Sequence, residues 1–289
     1  MANLREIRTR MKSMENTSQI TASMKMIAAA KLRKAQTSFE SLRDYAEQCG
    51  QMLTEASAGV WDHDNPYLTP HPVCRKVCYV LVVGNRGMCG AYNQNLLRYY
   101  ENLIKDNEEE NLLLVCGRWG RDLFAAAGLQ EEERLELSDT PTREEAMLLA
   151  EKLMKLYRDE TADRIVLVYQ KFRSLLSQTP CDTQLLPLAF EPGKAPGRDV
   201  IFEPDRDTLI DTLLDMYIEN TLHTALLEAR TGEHAARMTA MTAASDNTEK
   251  LLRELKQEFN HARQDAVTTE ISEIAGGAEA LRSHSAGGI

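Results

Sequence analysis

The stretch IRTRMKSMENTSQITASMKMIAAAKLRKAQTSFESLRDYAEQCGQML, residues 7–53, decides the fold of this 289-residue chain. It contains no proline, and Gly50 is its only glycine. A seven-residue repeat with alternating steps of three and four runs through it, and only Ser18, Thr21 and Lys25 interrupt its apolar positions. A period of 3.5 residues keeps one seam against a partner helix only if the helices supercoil, so the pattern predicts a coiled coil. The predicted seam consists of Ile7, Met11, Met14, Ser18, Thr21, Lys25, Ala28, Leu32, Ala35, Phe39, Leu42, Ala46, Cys49 and Leu53.

The partner helix is predicted at the other end of the same chain, in residues 205–275. This stretch has no proline, and Gly232 is its only glycine. It repeats the same steps at Ile210, Leu213, Tyr217, Asn220, Thr224, Leu227, Thr231, His234, Met238, Met241, Ser245, Thr248, Leu252, Leu255, Phe259, Ala262, Ala266 and Thr269. At 1.5 Å per residue the two helices would be roughly 75 Å and 105 Å long. We therefore predict a long antiparallel coiled coil of residues 1–56 with residues 205–289; periodicity alone leaves a homodimeric coiled coil open.

Residues 57–204 are predicted to form an α/β domain inserted between the two helices. Strands are expected at 77–83, 112–116, 164–172 and 183–190, and helices at 94–105, 118–127 and 142–158. This alternation favours a small, open, Rossmann-like sheet. Asp205 is a candidate N-cap for the second long helix, and the glycine-rich tail from Gly276 is expected to fray.

Charge is distributed unevenly along the chain. The net charge is −10, but residues 1–36 carry eight basic and two acidic side chains, which leaves −16 on the rest. A basic helix could meet nucleic acid, anionic lipid or acidic protein surfaces. No aromatic residues are interleaved with these charges, so nucleic acid is not expected as a partner. The sequence has no run of about 20 apolar residues, so no membrane span is predicted.

No pattern in the sequence predicts a catalytic, cofactor or metal site. Gly84, Gly87 and Gly90 follow a predicted strand, but their spacing fits no phosphate-binding motif and favours a structural turn. His234 lacks a second ligand at helical spacing and is interpreted as a seam or surface histidine. The six cysteines are scattered and are expected to be reduced and mostly buried, with Cys74 and Cys78 on one strand.

Three segments together carry a resemblance to a known family. SMENTSQITASMKMIAAAKLRKAQ (13–36), GNRGMCGAYNQNL (84–96), and GEHAARMTAM (232–241) with NHARQDAVTTEISEIAGGAEAL (260–281) occur in this order. The chain resembles the γ subunits of F-type ATP synthases over its whole length and most strongly at its ends. At positions 91–92, Ala-Tyr departs from the family's usual glycine and apolar residue.

The resemblance implies a rotating central shaft that transmits torque and has no catalytic site or cofactor of its own. It implies contacts with a catalytic ring of α and β subunits, with a small ε subunit and with a membrane c-ring. The positions expected to meet the catalytic ring are Met24, Arg237, Arg263, Gln264 and Thr268, and those expected to approach the membrane ring are Phe202 and Glu203. The absence of a leader sequence and of a plastid-type cysteine insertion favours a peripheral protein on the cytoplasmic face of a bacterial cell membrane.

Two other classes of function stay open from the residues themselves. One is a coiled-coil scaffold that dimerises and carries an α/β ligand domain. The other is a nucleotide-dependent enzyme that uses the glycines of residues 84–90.

Overall fold

A computed structural model describes residues 4–56, 65–105, 107–188, 203 and 205–286 of the chain. The helices are α1 (Leu4–Ala56), α2 (Tyr92–Ile104), α3 (Arg121–Ala126), α4 (Arg143–Arg158) and α5 (Arg206–Ala286). The strands are β1 (Lys76–Val82), β2 (Glu110–Cys116), β3 (Glu133–Leu135), β4 (Arg164–Ser174) and β5 (Ser177–Leu186). The chain forms two compact units, one of residues 1–26 with 241–289 and the other of residues 27–240.

The second unit contains a mixed five-stranded sheet with strand order β3-β2-β1-β4-β5. β1 pairs in parallel with β2 and β4, β2 pairs in parallel with β3, and β5 is the antiparallel edge strand. Apolar side chains cover both faces of the sheet, with α4 and part of α5 on one face and α2 and α3 on the other. The predicted Rossmann-like sheet inserted between two long helices is confirmed.

α1 packs against α5 in an antiparallel pair within each unit. In the second unit, Cys49, Leu53 and Ala56 form a buried cluster with Ile210 and Leu213. In the first unit, the Arg8 guanidinium lies 5.5 Å from the centre of the Phe259 ring. Every predicted seam position of α1 is buried or half-buried except Lys25, which is exposed. The predicted coiled-coil seam of α1 is confirmed, because the period of 3.5 residues identifies the face that the partner helix covers.

Local sequence signals fix several helix ends. Thr142 and Glu145 form a capping box at the start of α4. At the start of α5, Asp205 Oδ1 accepts a hydrogen bond of 2.9 Å from the Thr208 amide, which confirms the predicted N-cap. α5 continues through Gly276 to Ala286, so the expectation of a frayed tail from Gly276 is wrong for residues 276–286. Each of the two glycines destabilises the helix by about 1 kcal/mol relative to alanine. A helix that is already nucleated over many turns continues despite this cost.

Two strand predictions and one cysteine prediction need correction. β3 is not among the predicted strands, and β5 spans Ser177–Leu186 rather than residues 183–190. Cys74 is exposed and precedes β1, so it does not share a strand with Cys78. Residues 189–190 of the strand predicted at 183–190 lie outside the described residues.

Candidate partner-binding surfaces

The loop after β1, residues 84–90, folds back over α5. The Gly84 amide donates a 2.9 Å hydrogen bond to Asn93 Oδ1, and the Asn85 amide donates one of 3.4 Å to the Glu233 carboxylate. A Cβ atom at Gly84 would lie 3.0 Å from the Glu233 carboxyl carbon, so a side chain there would force the Glu233 carboxylate to shift. The structural interpretation of this glycine is confirmed. A carboxylate already accepts one of the amide hydrogens that a phosphate would require, which disfavours the nucleotide hypothesis for this loop.

A buried charge cluster on α5 holds this loop in place. Glu233 lies between Arg230 Nη1 at 2.8 Å and Arg237 Nη2 at 2.6 Å, and its side chain is only 4% exposed. Arg230 also donates to Val83 O at 3.2 Å and to Asn85 Oδ1 at 3.0 Å. Burial raises the pKa of the Glu233 carboxyl, but the two guanidinium groups outweigh burial and lower that pKa below its ordinary value. Glu233 is therefore ionised in the folded chain at neutral pH.

Arg237 joins the cluster to the backbone of the loop. Its Nη2 donates to Arg86 O at 3.0 Å and its Nε donates to Gly87 O at 3.3 Å. Its Nη1 lies 3.3 Å from His234 Nδ1, and His234 is a buried seam residue. Burial lowers the pKa of His234, and nearby Arg237 and Lys31 lower it further, while Glu233 and Asp139 act in the opposite direction. His234 is thus neutral at pH 7, and its Nδ1 can accept the hydrogen bond from Arg237.

The tip of the loop of residues 84–90 is apolar and basic. Met88 is 65% exposed and has a φ of 59°, a left-handed conformation that is uncommon for residues other than glycine. Arg86, two residues earlier, is also exposed. The predicted structural turn therefore also presents a basic, apolar surface to solvent. Sequence reasoning missed this surface, although a methionine among three turn glycines is an available signal.

The positions predicted to meet the catalytic ring fall into different environments, and their contacts stay a prediction. Arg237 is only 8% exposed, and its described bonds go to the loop and to its own cluster. In the first unit, Met24 is half-buried, while Arg263, Gln264 and Thr268 are exposed on α5. Of the positions predicted to meet the membrane ring, Glu203 is exposed and Phe202 lies outside the described residues.

The C-terminal part of α5 is a helix with no buried face. Every residue from Arg263 to Ala278 is exposed. Val267, Ile271 and Ile274 are 49%, 61% and 67% exposed, and their spacing of four and three residues places them on one side of the helix. Exposed apolar side chains in a row on one helix face are typical of a surface that another protein covers.

Metal-binding groups of side chains and membrane-spanning helices are absent from the part of the chain that the structure describes. No group of three or more His, Cys, Asp or Glu side chains is placed to hold a metal ion there. None of the described helices has the length and apolar character needed to cross a bilayer.

Known proteins resemble the chain over nearly its full length. A family model described as "ATP synthase" matches residues 3–281. The ATP synthase gamma chain of Heliobacterium modesticaldum is 40% identical over 291 residues, covering 97% of this chain and 100% of the relative. The ATP synthase gamma chain of Desulfitobacterium hafniense is 39% identical over 282 residues, with the same coverage of 97% and 100%.

Solved structures share the fold at low sequence identity. One is a chain of the Euglena gracilis mitochondrial ATP synthase OSCP/F1/c-ring structure, with a TM-score of 0.72 and 18% identity; the match covers 99% of this chain and 97% of that chain. Another is from the Tetrahymena thermophila mitochondrial ATP synthase central stalk and c-ring, with a TM-score of 0.61 and 21% identity, covering 78% and 99%. The family match and the full-length relatives near 40% identity decide the classification: the chain belongs to the ATP synthase gamma chain family.

Proposed function

We propose that this chain is the central rotor shaft of an F-type ATP synthase. It couples ion flow through a membrane c-ring to ATP synthesis or hydrolysis in a catalytic ring of α and β subunits. It transmits torque and carries no catalytic site, and it works as a peripheral protein on the cytoplasmic face of the bacterial cell membrane. The names and full-length match of its relatives support this assignment, and the fold it shares with chains of rotor assemblies agrees with it.

The observation that carries the proposal is the C-terminal part of α5. A helix exposed on all sides from Arg263 to Ala278 cannot derive its stability from packing within this chain. Its apolar stripe of Val267, Ile271 and Ile274 suits a surrounding ring of partner subunits. Its polar positions suit contacts that exchange as the shaft turns. Exposed ion pairs contribute only about 0–1 kcal/mol each, so such contacts form and break without locking the shaft.

The positions proposed to contact partner subunits lie in different parts of the chain. Arg263, Gln264 and Thr268, together with Met24, would meet the catalytic ring in the first unit. In the second unit, Arg237 would act indirectly, because it holds the loop whose tip carries Arg86 and Met88. Glu203 and Phe202 would approach the membrane ring, and the small ε subunit would bind the α/β domain.

Native mass spectrometry of the tagged chain, extracted gently from membranes of its host, tests the proposal. We expect one copy of this chain with three copies each of two larger subunits, in a complex that hydrolyses ATP. Recovery as a soluble homodimer without those subunits would instead support the scaffold alternative.

A further inference from the structure

The hairpin between β4 and β5 ends in two adjacent exposed leucines. Leu175 is 43% exposed and Leu176 is 83% exposed, and they occupy the turn between Ser174 and Ser177. Two-residue hairpin turns usually take glycine, asparagine or aspartate, because these residues adopt positive φ angles. Neither leucine has a positive φ, since Met88 and Glu160 are the non-glycine residues with that conformation in the described part of the chain. Turn chemistry therefore does not account for leucine at either position.

The tip is held in one shape by hydrogen bonds around it. Gln178 Nε2 donates to Ser174 O at 2.9 Å and to Leu175 O at 3.1 Å. Thr239 Oγ1 on α5 donates to Leu175 O at 3.2 Å, which fixes the tip to the helix. A surface that is already ordered loses little conformational entropy when it binds a partner.

The tip is basic as well as apolar. Lys171 and Arg173 precede the leucines, and no acidic residue occurs between Tyr169 and Cys181 in a chain of net charge −10. The nearby Glu228 carboxylate is buried and accepts a 3.1 Å hydrogen bond from the Phe172 amide, so it leaves the local surface basic. The complementary surface is acidic with exposed apolar side chains.

The tip lies on the opposite side of α5 from the loop of residues 84–90. Arg237 binds that loop and Thr239 binds the hairpin. Two residues advance about 200° around a helix and roughly 3 Å along it. Two basic, apolar tips therefore flank α5 at nearly the same position along its axis. One carries Arg86 and Met88, and the other carries Arg173 and Leu176.

We propose that residues 171–176 form a docking surface for an acidic segment of a partner protein that also exposes apolar side chains. The inference rests on the proposed function, under which this segment belongs to a subunit of the catalytic ring. Because the two tips lie on opposite sides of one helix, they would contact different copies of the ring subunit. The shaft would then contact the ring at two points at once.

Photo-crosslinking in the whole complex tests this surface. Leu176 is replaced by p-benzoylphenylalanine, with Leu148 on α4, which is 64% exposed, as the matched control position. We expect crosslinks from position 176 to an acidic segment of a ring subunit at a yield at least tenfold above that from position 148. Arg173→Glu in the same background should reduce this yield about fivefold, whereas Arg121→Glu on α3 should leave it unchanged.

The outcomes separate the two proposals. A complex of normal stoichiometry with equal yields from positions 176 and 148 would overturn the docking surface and leave the shaft intact. A crosslink to a chain outside the ring, or to lipid, would also overturn it. If no complex with ring subunits exists, the proposed function fails and this inference fails with it.

Discussion

The Glu233 carboxylate is a single anion shared by two buried guanidinium groups. Arg230 and Arg237 are 2% and 10% exposed at their side chains, so neither has bulk water as an alternative partner. A buried ion pair contributes little compared with well-packed apolar residues, but removing one partner leaves the other charge uncompensated. The cluster therefore specifies where the loop of residues 84–90 lies, and its integrity depends on Glu233.

Replacing Glu233 with glutamine keeps the shape of the side chain and removes its charge. We expect the free energy of unfolding to fall by about 3–5 kcal/mol, because two buried cations then lack a counterion. Urea unfolding of the purified chain measures this change. The control is Glu6→Gln, which removes an exposed ion pair with Arg10 and should change stability by less than about 1 kcal/mol. Equal effects of the two substitutions would contradict the importance of the cluster.

A second ion pair makes the stability of the fold depend on pH. Lys31 on α1 contacts Asp139 in the segment between β3 and α4, and the hydrogen bond from Lys31 lowers the pKa of Asp139 to about 2. Because the folded pKa is below the ordinary value of 3.8, the pair stabilises the fold above about pH 4 and loses that effect as the pH falls towards 2. Both side chains are more than a third exposed, so solvent screening limits the contribution to about 1 kcal/mol or less.

Asp139→Asn tests this dependence. The variant should be slightly less stable than the parent chain at pH 7, and the difference should shrink as the pH falls towards 2. Thermal unfolding at several pH values between 2 and 7 measures it, with Asp44→Asn, at the exposed Arg43 pair, as the control. A difference that stayed constant across this pH range would show that charge is not the cause.

At the scale of elements, the seam between α1 and α5 can be tested within the first unit. Leu255 is a half-buried seam residue, whereas Leu251, one turn earlier, is 47% exposed. Leu255→Asp should lower the free energy of unfolding by roughly 1–3 kcal/mol, because it buries a polar group without a partner. Leu251→Asp is the matched control and should cost less than about 0.5 kcal/mol. Urea unfolding that ranked the two variants in the opposite order would show that the seam is assigned to the wrong face.

The long helices and the central strands were predictable because their signals are local and repetitive. The period of 3.5 residues identifies the buried face of α1, and continuous apolar runs identify β1 and β4. β3 is three residues long in an acidic stretch, and β5 is a polar edge strand that contains Pro180. Edge strands accept proline and need no apolar alternation, so neither strand had a pattern to find.

The candidate surfaces were less predictable because long-range contacts create them. Glu233 and Arg237, four residues apart, resemble an exposed ion pair on a helix surface. They are buried because a loop about 150 positions earlier in the chain folds over them. The exposure of Met88 at the tip of that loop likewise depends on a backbone conformation that residue type does not indicate.

At the scale of the whole molecule, the proposed shaft needs residues 263–278 of α5 more than residues 282–289. Residues 282–286 continue the helix, but they lie beyond the segment 263–278 to which the proposed ring contacts belong. Removing residues 282–289 should therefore leave the ATPase rate of the reconstituted complex within about twofold of the parent. A second deletion, of residues 263–289, removes Arg263, Gln264, Thr268 and the apolar stripe, and we expect it to reduce ATP-driven ion pumping by at least fivefold. If the short deletion alone abolished hydrolysis, the last turns of α5 would be part of the working shaft, and the proposed boundary of its ring contacts would have to move beyond residue 278.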